Sequence, residues 1–110
     1  MSSVKDINYD DLKKLLDRGE TFVLDLWAEW CHPCKLMMPL YEELSESMDA
    51  CQFYRINVDE NSQIIDLLNV NSIPRIIVFV NGVKSFEMKG LQRESRFYEI
   101  RSKMPCQYEG

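Results

Sequence analysis

Apolar residues are spaced along the chain in two ways, one typical of strands and one typical of helices. Residues 21–27 are almost continuously apolar, which is typical of a buried strand, whereas the apolar residues of segment 35–48 recur at a helical spacing. An earlier helical pattern covers residues 9–18, where Asn8 can cap the helix and Gly19 can end it. The first half of the chain is therefore predicted to form a helix, a buried strand and a long helix.

The second half of the chain predicts a strand, a short helix, two strands and a final helix, at residues 53–58, 64–68, 76–80, 83–89 and 93–103. Asn61 can cap the short helix, and Asn81-Gly82 between the last two strands is typical of a tight hairpin. A β-α-β arrangement implies parallel strands, and a hairpin implies antiparallel ones. We therefore expect an α/β fold with one mixed sheet and helices on both of its faces.

The composition is that of a single small domain. With 110 residues, 45% of them hydrophobic, the chain is long enough to bury a modest core. The formal net charge is −5 and no basic run occurs, which argues against nucleic acid and anionic membranes as partners. The chain shows no signal sequence and no apolar run as long as a membrane span, so we expect a cytoplasmic protein without a membrane partner.

Two of the four cysteines belong to the most informative motif, Trp30-Cys31-His32-Pro33-Cys34. The two thiols stand where the predicted strand passes into the predicted long helix. At a helix N-terminus the unpaired N–H groups and the helix dipole favour an anion. A thiolate is such an anion, and it is the species that attacks disulfides. The motif therefore predicts a redox site that forms and breaks a disulfide.

A metal site is the alternative interpretation of a close cysteine pair. Structural zinc usually has four ligands, commonly supplied as two close pairs. Cys51, Cys106 and His32 form no second pair, so we expect no bound metal. Cys51 lies between a helix end and a strand, and Cys106 lies in the polar C-terminal tail. We interpret both as incidental thiols.

Asp25 interrupts the apolar strand that precedes the cysteines. Strand alternation puts it on the same face as Val23 and Trp27. Burial of an isolated carboxylate is costly, so its pKa should rise unless a cation or water relieves it. A carboxyl group with a pKa nearer neutrality can take a proton from Cys34 and return it later. The alternative is an aspartate that only pairs with a cation; the two roles are compatible, and we favour the proton acceptor.

Several segments together resemble the thioredoxin family, over nearly the whole length from the first helix to about Met104. The matching segments are 23–31, Pro33-Cys34-Lys35, Pro39, Asn57-Val58-Asp59, Ser72-Ile73-Pro74, Asn81-Gly82 and Gly90. The resemblance implies a thioredoxin fold in a domain of residues 1–104, followed by a short tail of residues 105–110.

The resemblance also implies a role for each residue of the site. Cys31 would attack a target disulfide, Cys34 would resolve the mixed disulfide, and Asp25 would exchange a proton with Cys34. Arg55 stands where the family usually has a lysine near this aspartate. The other residues expected to face the substrate or to tune the thiols are Trp30, His32, Pro33, Ile73, Pro74 and Gly90, with a cis peptide bond between Ile73 and Pro74.

The activity implied by the resemblance is that of a cytosolic protein-disulfide reductase. Its partners would be disulfide-containing proteins, among them peroxidases, methionine sulfoxide reductases and ribonucleotide reductase. Electrons would come from a flavin-dependent reductase. We expect a monomer that needs no bound cofactor of its own.

Three further residues depart from the family pattern. His32 stands where glycine is usual, and an imidazolium beside Cys31 would stabilise its thiolate and make the disulfide more oxidising. Arg75 replaces the common threonine after Pro74, and Lys89 replaces an apolar residue before the glycine; each would add positive charge at the rim of the site or point into solvent.

Two alternative functions follow from these departures and from the fold. One is a more oxidising disulfide oxidant or isomerase, tuned by His32. The other is a thioredoxin-fold interaction module that does not use its thiols. The presence of Cys31, Cys34, Asp25 and Pro74 argues against the module, because a scaffold has no physical need for these side chains.

Overall fold

The computed structural model describes residues 3–107. Its elements, in chain order, are β1 (Val4–Asp6), α1 (Tyr9–Asp17), β2 (Phe22–Trp27), α2 (His32–Ser47), β3 (Phe53–Asn57), α3 (Gln63–Leu67), β4 (Arg75–Val80), β5 (Val83–Lys89) and α4 (Glu94–Lys103), followed by a 3-10 helix (Pro105–Gln107). Of the tail expected at residues 105–110, residues 108–110 lie outside the described part of the chain.

The strands form one mixed sheet in the order β1-β3-β2-β4-β5. Strands β1, β3 and β2 are parallel to one another, whereas β4 runs antiparallel to both β2 and β5. The mixed sheet expected from the sequence is therefore confirmed. Strand β2 occupies its centre, so the residues that follow β2 start from a strand that is paired on both sides.

Helices cover both faces of the sheet and divide the core into two layers. Leu12 of α1 and Ile64 of α3 pack with Leu24 of β2 on one face. On the other face, α2 and α4 contribute Tyr41 and Phe97, which pack in one cluster with the remaining core residues, including Val23, Phe53, Ile76, Met88 and Ile100. The alternation of β2 thus reaches both layers, as its nearly continuous apolar sequence predicts.

The hydroxyl group of Tyr41 fixes α2 against the sheet. It donates a hydrogen bond to the Tyr54 carbonyl oxygen at 2.7 Å and lies 3.2 Å from the Val23 carbonyl oxygen. The side chain is completely buried, so this bond satisfies a polar group that would otherwise be costly in the core. It ties the middle of α2 to the two strands that flank the functional site.

Local signals account for two of the predicted boundaries. Asn8 caps α1 in a capping box, accepting from the Asp11 N–H at 2.9 Å while the Asp11 carboxylate accepts from the Asn8 N–H at 3.1 Å. The turn at Asn81-Gly82 has positive φ at both residues, 54° and 80°, as a tight hairpin of this type requires.

The expected cap of the short helix is wrong. Ser62, not Asn61, precedes α3, and it makes no side-chain capping bond. The Asn61 side chain instead accepts from the Tyr9 N–H at 2.9 Å and donates to the Asn57 carbonyl oxygen at 3.1 Å. It therefore joins the start of α1 to the loop after β3, a tertiary role that competes with local capping.

Two further features differ from the sequence-based expectations. Strand β1 was not predicted, because three residues are too few to show an alternating pattern. The interpretation of Cys51 and Cys106 as incidental thiols is also wrong. Their sulfur atoms form a disulfide that joins the loop before β3 to the C-terminal 3-10 helix, 55 positions apart in sequence.

In the part of the chain that the structure describes, no helix combines the length and apolar character needed to cross a bilayer.

Candidate active site

Cys31 and Cys34 form a disulfide at the N-terminus of α2. Cys31 is the N-cap residue of the helix, and its sulfur accepts a hydrogen bond from the Cys34 N–H at 3.2 Å. Both residues are buried in this oxidised form, with 3% of Cys31 and 1% of Cys34 exposed. Exposure therefore hardly distinguishes the two cysteines in this form. The sulfur of Cys31 lies where the helix dipole favours negative charge.

The backbone around the disulfide explains why the helix begins at this point. The Cys31 N–H donates to the Ala28 carbonyl oxygen at 3.1 Å, which closes the turn that follows β2. Pro33 is tolerated in the first turn of α2, where an N–H group has no helical partner to lose. The helix thus starts three residues earlier than the apolar spacing predicts, and the active-site motif forms its first turn.

Asp25 lies in the centre of β2 and is 4% exposed. The pKa of its carboxyl group is raised to about 7, because burial raises it by more than the positive charge of Arg55 lowers it. Among the described residues, no hydrogen bond or ion pair to this carboxyl group is found. The raised pKa expected from an isolated carboxyl group in an apolar strand is therefore present.

Arg55 directs its guanidinium away from Asp25. The two residues are register partners across β3 and β2, and Asp6 of β1 is the register partner of Arg55 on the other side. Arg55 Nε donates to Asp6 Oδ1 at 2.7 Å, and the guanidinium also lies over the Trp27 ring, 5.3 Å from its centroid. This hydrogen bond raises the pKa of Arg55 despite partial burial. The aspartate that holds the cation belongs to the strand that the sequence did not predict.

A shallow groove of about 380 Å³ opens at Trp30, the residue that precedes Cys31. Trp30, 68% exposed, lines this groove together with Ile73. The groove is lined by Trp30, Val58, Asp59, Ile65, Val70, Asn71, Ser72 and Ile73. The Trp30 indole N–H donates to Asp59 Oδ2 at 2.8 Å and so fixes the ring. Asp59 has no predicted role, although it belongs to the segment Asn57-Val58-Asp59 that resembles the family.

The segment at Pro74 meets the loop after β5. The Ile73–Pro74 peptide bond is cis, as expected. The Gly90 N–H donates to the Pro74 carbonyl oxygen at 2.9 Å. Gly90 has a φ of 78°, and a side chain built there would meet nothing within 4 Å. Glycine is therefore needed for its backbone conformation, and the space above it is open.

The three residues that depart from the expected pattern have different surroundings. His32 is the first residue of α2 and is exposed beside the disulfide. Lys89 is exposed at the end of β5. Arg75 is only 3% exposed, so both expectations for it, a rim charge and a solvent-directed side chain, are wrong. Its guanidinium is bound by Glu87, Asn71 and Ser72.

Within residues 3–107, no group of three or more histidine, cysteine, aspartate or glutamate side chains is placed to hold a metal ion. Three features of the described residues bear on function: a disulfide at the N-terminus of α2, a buried carboxyl group with a pKa of about 7 in the preceding strand, and a largely apolar groove that begins at Trp30. This arrangement can exchange a disulfide with a second molecule and move one proton.

A family model described as thioredoxin matches residues 2–102. Thioredoxin from Rickettsia typhi is 34% identical over 95 residues, which cover 86% of this chain and 89% of the relative. Thioredoxin from Mycoplasma genitalium is 30% identical over 89 residues, covering 81% and 87%. Among solved structures, the thioredoxin of Malassezia sympodialis is similar with a TM-score of 0.83 and 32% identity, covering 94% of this chain and 92% of that one.

Proposed function

Because the chain belongs to the thioredoxin family, we propose that it reduces disulfide bonds in other proteins. Its Cys31–Cys34 disulfide makes it a protein thiol–disulfide oxidoreductase, and its family acts on disulfide-containing proteins. The proposal adds the direction of the reaction. The direction rests on membership of the thioredoxin family. One observation identifies the attacking thiol: the sulfur of Cys31 caps α2 and accepts an N–H bond there, which favours the thiolate, the form that attacks a disulfide.

The two cysteines divide the reaction into two exchanges. The Cys31 thiolate attacks one sulfur of a target disulfide, forms a mixed disulfide and displaces one target thiolate. Cys34 then attacks the Cys31 sulfur, which forms the Cys31–Cys34 disulfide and displaces the second target thiolate. Two electrons pass to the target, and the second exchange is fast because both sulfurs lie in one helical turn.

Asp25 is the proton acceptor for Cys34 in this scheme. Only the thiolate of Cys34 can attack, so its proton must leave before the mixed disulfide is resolved. A carboxyl group with a pKa of about 7 is half ionised at neutral pH and can both accept and return a proton. Arg55 tunes this carboxyl group through its charge and not through a direct ion pair.

The target lies across the groove that begins at Trp30. Trp30 and Ile73 supply apolar contact, and the open space above Gly90 admits a polypeptide backbone near Pro74. His32 and Pro33 belong to the first turn of α2 and adjoin the attacking sulfur. An extended segment of the target would pair with the backbone at Ile73.

The cycle needs a source of electrons, because each turnover leaves Cys31 and Cys34 oxidised. We assign this role to a flavin-dependent thioredoxin reductase and the place of action to the cytoplasm, where reducing equivalents are maintained. The protein would act as a monomer and without nucleic acid or a membrane as partner. The excess of acidic residues supports the absence of nucleic acid from its partners.

A second candidate direction is favoured by His32. An imidazole exposed at the first position of α2 is placed to favour the Cys31 thiolate, and stabilising the reduced form makes the disulfide a stronger oxidant. An oxidant or isomerase would follow if this effect were large. Each unit by which the Cys31 pKa falls raises the two-electron reduction potential by about 30 mV. A fall of one or two units would therefore not turn a reductase into an oxidant.

The reduction potential of the Cys31–Cys34 pair tests the direction. The protein is equilibrated with glutathione buffers, its thiols are alkylated, and each cysteine is quantified by mass spectrometry, which separates this pair from Cys51–Cys106. A potential well below the cytosolic glutathione poise, together with reduction of insulin, is expected. A potential well above that poise would establish the oxidant, and His32→Gly should then lower it.

The roles of the two cysteines are tested by trapping. Cys34→Ser should accumulate a mixed disulfide between Cys31 and a disulfide-containing protein, because the resolving thiol is gone. The matched variant Cys31→Ser should accumulate little, since it lacks the thiol whose sulfur caps α2 and is favoured there as a thiolate. Non-reducing electrophoresis measures the amount of mixed disulfide that each variant forms. Reduced insulin, which has no disulfide to attack, is the negative control. Equal trapping by the two variants would contradict the assigned order of attack.

A further inference from the structure

Arg75 is a buried cation at the first position of β4, directly after Pro74. A guanidinium taken out of water is costly unless other groups bond it. The guanidinium donates three hydrogen bonds. Nη1 donates to Glu87 Oε2 at 2.9 Å, and Nη2 donates to Asn71 Oδ1 at 2.8 Å and to Ser72 Oγ at 3.0 Å. Its Nε finds no acceptor among the described residues. The side chain is thus committed to these three neighbours.

The ion pair with Glu87 anchors the guanidinium to β5. Glu87 is half-buried, and its second carboxylate oxygen accepts from Lys84 Nζ at 3.2 Å. Burial acts to raise the pKa of Glu87, but hydrogen bonds from Lys84 and Arg75 outweigh it and lower the pKa. The carboxylate is therefore ionised at neutral pH and holds Arg75 by a charge-assisted bond.

The other two acceptors lie on the far side of the cis peptide bond. Asn71 and Ser72 precede Ile73–Pro74, whereas Arg75 follows it, so one guanidinium clamps both ends of this short segment. Asn71, Ser72 and Ile73 also form one wall of the groove that begins at Trp30. The shape of that wall thus depends on a side chain that does not itself line the groove.

On the premise that the chain reduces protein disulfides, we propose that Arg75 is a positioning residue that holds the Asn71–Ile73 wall of the groove in the shape that binds a polypeptide substrate. A wall held in advance does not have to be ordered when the substrate binds, and preorganisation of this kind increases affinity. The sulfur chemistry at Cys31 is left to other residues. Loss of the clamp should therefore weaken binding of a polypeptide more than it slows the exchange.

The test compares three variants on substrates of different size. Arg75→Lys keeps the charge but replaces the planar guanidinium by a single nitrogen, which cannot span acceptors on both sides of the cis bond. Glu87→Gln weakens the anchor from outside the groove, and Lys84→Gln, which removes the other cation on Glu87, is the matched control. We expect the first two to raise KM for insulin about five- to tenfold with kcat within twofold. Their rate with the small disulfide DTNB and the Cys31–Cys34 potential should match those of the wild type. Lys84→Gln leaves the Arg75–Glu87 bond in place and should change each of these much less than the first two variants do.

Two kinetic outcomes would overturn the positioning role. One is an unchanged KM for insulin in folded Arg75→Lys and Glu87→Gln. The other is a parallel change in KM, DTNB rate and potential, which would indicate a general effect on the fold. If Arg75→Lys does not fold, Glu87→Gln decides the question.

A readout independent of activity separates this inference from the proposed function. A wild-type protein that fails to reduce insulin would contradict the proposed function alone. Amide hydrogen exchange over residues 71–76 still tests the clamp in that case, because Arg75→Lys should exchange faster there than the wild type or Lys84→Gln. Exchange that is unchanged in this segment would overturn the inference whatever the enzyme assay gives.

Discussion

At the scale of single residues, two opposed influences act on the proton of Asp25. Burial raises the pKa of the carboxyl group and the charge of Arg55 lowers it; burial is the larger effect, and the resulting pKa is about 7. The lowering is limited because the Arg55 guanidinium is bound to Asp6 at the edge of the sheet. The proton affinity of the site therefore depends on a row of three charged residues that crosses three strands.

Removal of the cation from this row should raise the Asp25 pKa further. For Arg55→Met we expect a rise of up to about one unit above the wild-type value, because the favourable charge interaction with the carboxylate is lost. A carbon-detected NMR titration of the Asp25 carboxyl group measures it. Lys5→Met, which removes one exposed positive charge from β1, is the matched control and should change the value little. An unchanged or lower pKa in Arg55→Met would contradict the assigned electrostatics.

At the scale of elements, the Cys51–Cys106 disulfide fixes the end of the chain to the entrance of β3. Cys51 is buried in the cluster formed by α2, α4 and the sheet, and Cys106 packs against it. A crosslink between residues 55 positions apart restricts the unfolded chain much more than the folded one. The C-terminal 3-10 helix is therefore part of the folded unit when this disulfide is formed.

Loss of this crosslink should destabilise the oxidised protein. In a Cys31→Ser, Cys34→Ser background, where Cys51–Cys106 is the sole disulfide, the chain-entropy model gives about 4 kcal/mol of stabilisation as an upper figure. Urea unfolding with and without dithiothreitol measures the difference. The same background with Cys106→Ser added should unfold identically under both conditions. A stability that does not respond to reductant before Cys106 is replaced would contradict the prediction.

Local patterns predict most of the elements, and tertiary contacts explain the rest. The hairpin at Asn81-Gly82 and the strand that carries Asp25 are predicted because turn chemistry and apolar runs act over a few residues. Strand β1 has no such pattern and is held by its pairing with β3. Its absence from the prediction also hid Asp6, the residue that binds Arg55.

The site itself divides in the same way. The sequence predicts the Cys31–Cys34 pair from its spacing at a strand–helix junction, and the raised pKa of Asp25 from the apolar strand around it; both are present in the structure. The burial of Arg75 is not predicted, because its anchor Glu87 lies 12 residues away on another strand. The pairing of distant cysteines likewise cannot be read from their positions, since only the folded chain brings them together.

At the scale of the whole molecule, the buried carboxyl group makes stability depend on pH. The Asp25 pKa is about 7 in the folded protein and near 3.8 when the group is exposed. Between these values the folded state binds more protons than the unfolded state, so the free energy of unfolding falls as the pH rises. The free energy of unfolding is not reduced by this group below about pH 4, and it is reduced by the full amount above about pH 7.

Asp25→Asn should remove this dependence and stabilise the protein at alkaline pH. The gain should be on the order of 4 kcal/mol at pH 8 and close to zero at pH 4. Urea unfolding of the oxidised proteins at both pH values measures it. Asp49→Asn, at an exposed position after α2, is the matched control. A gain of equal size at the two pH values would show that the effect comes from packing and not from the charge.

The two disulfides together change the electron count of the molecule. All four cysteines of the chain are paired, so the fully oxidised protein takes up four electrons, although the exchange at α2 transfers two. Thiol counts taken after complete reduction would thus report twice the working capacity. A coulometric titration should resolve the Cys31–Cys34 and Cys51–Cys106 couples unless their potentials coincide. The concentration of active enzyme should be calculated from Cys31–Cys34 alone.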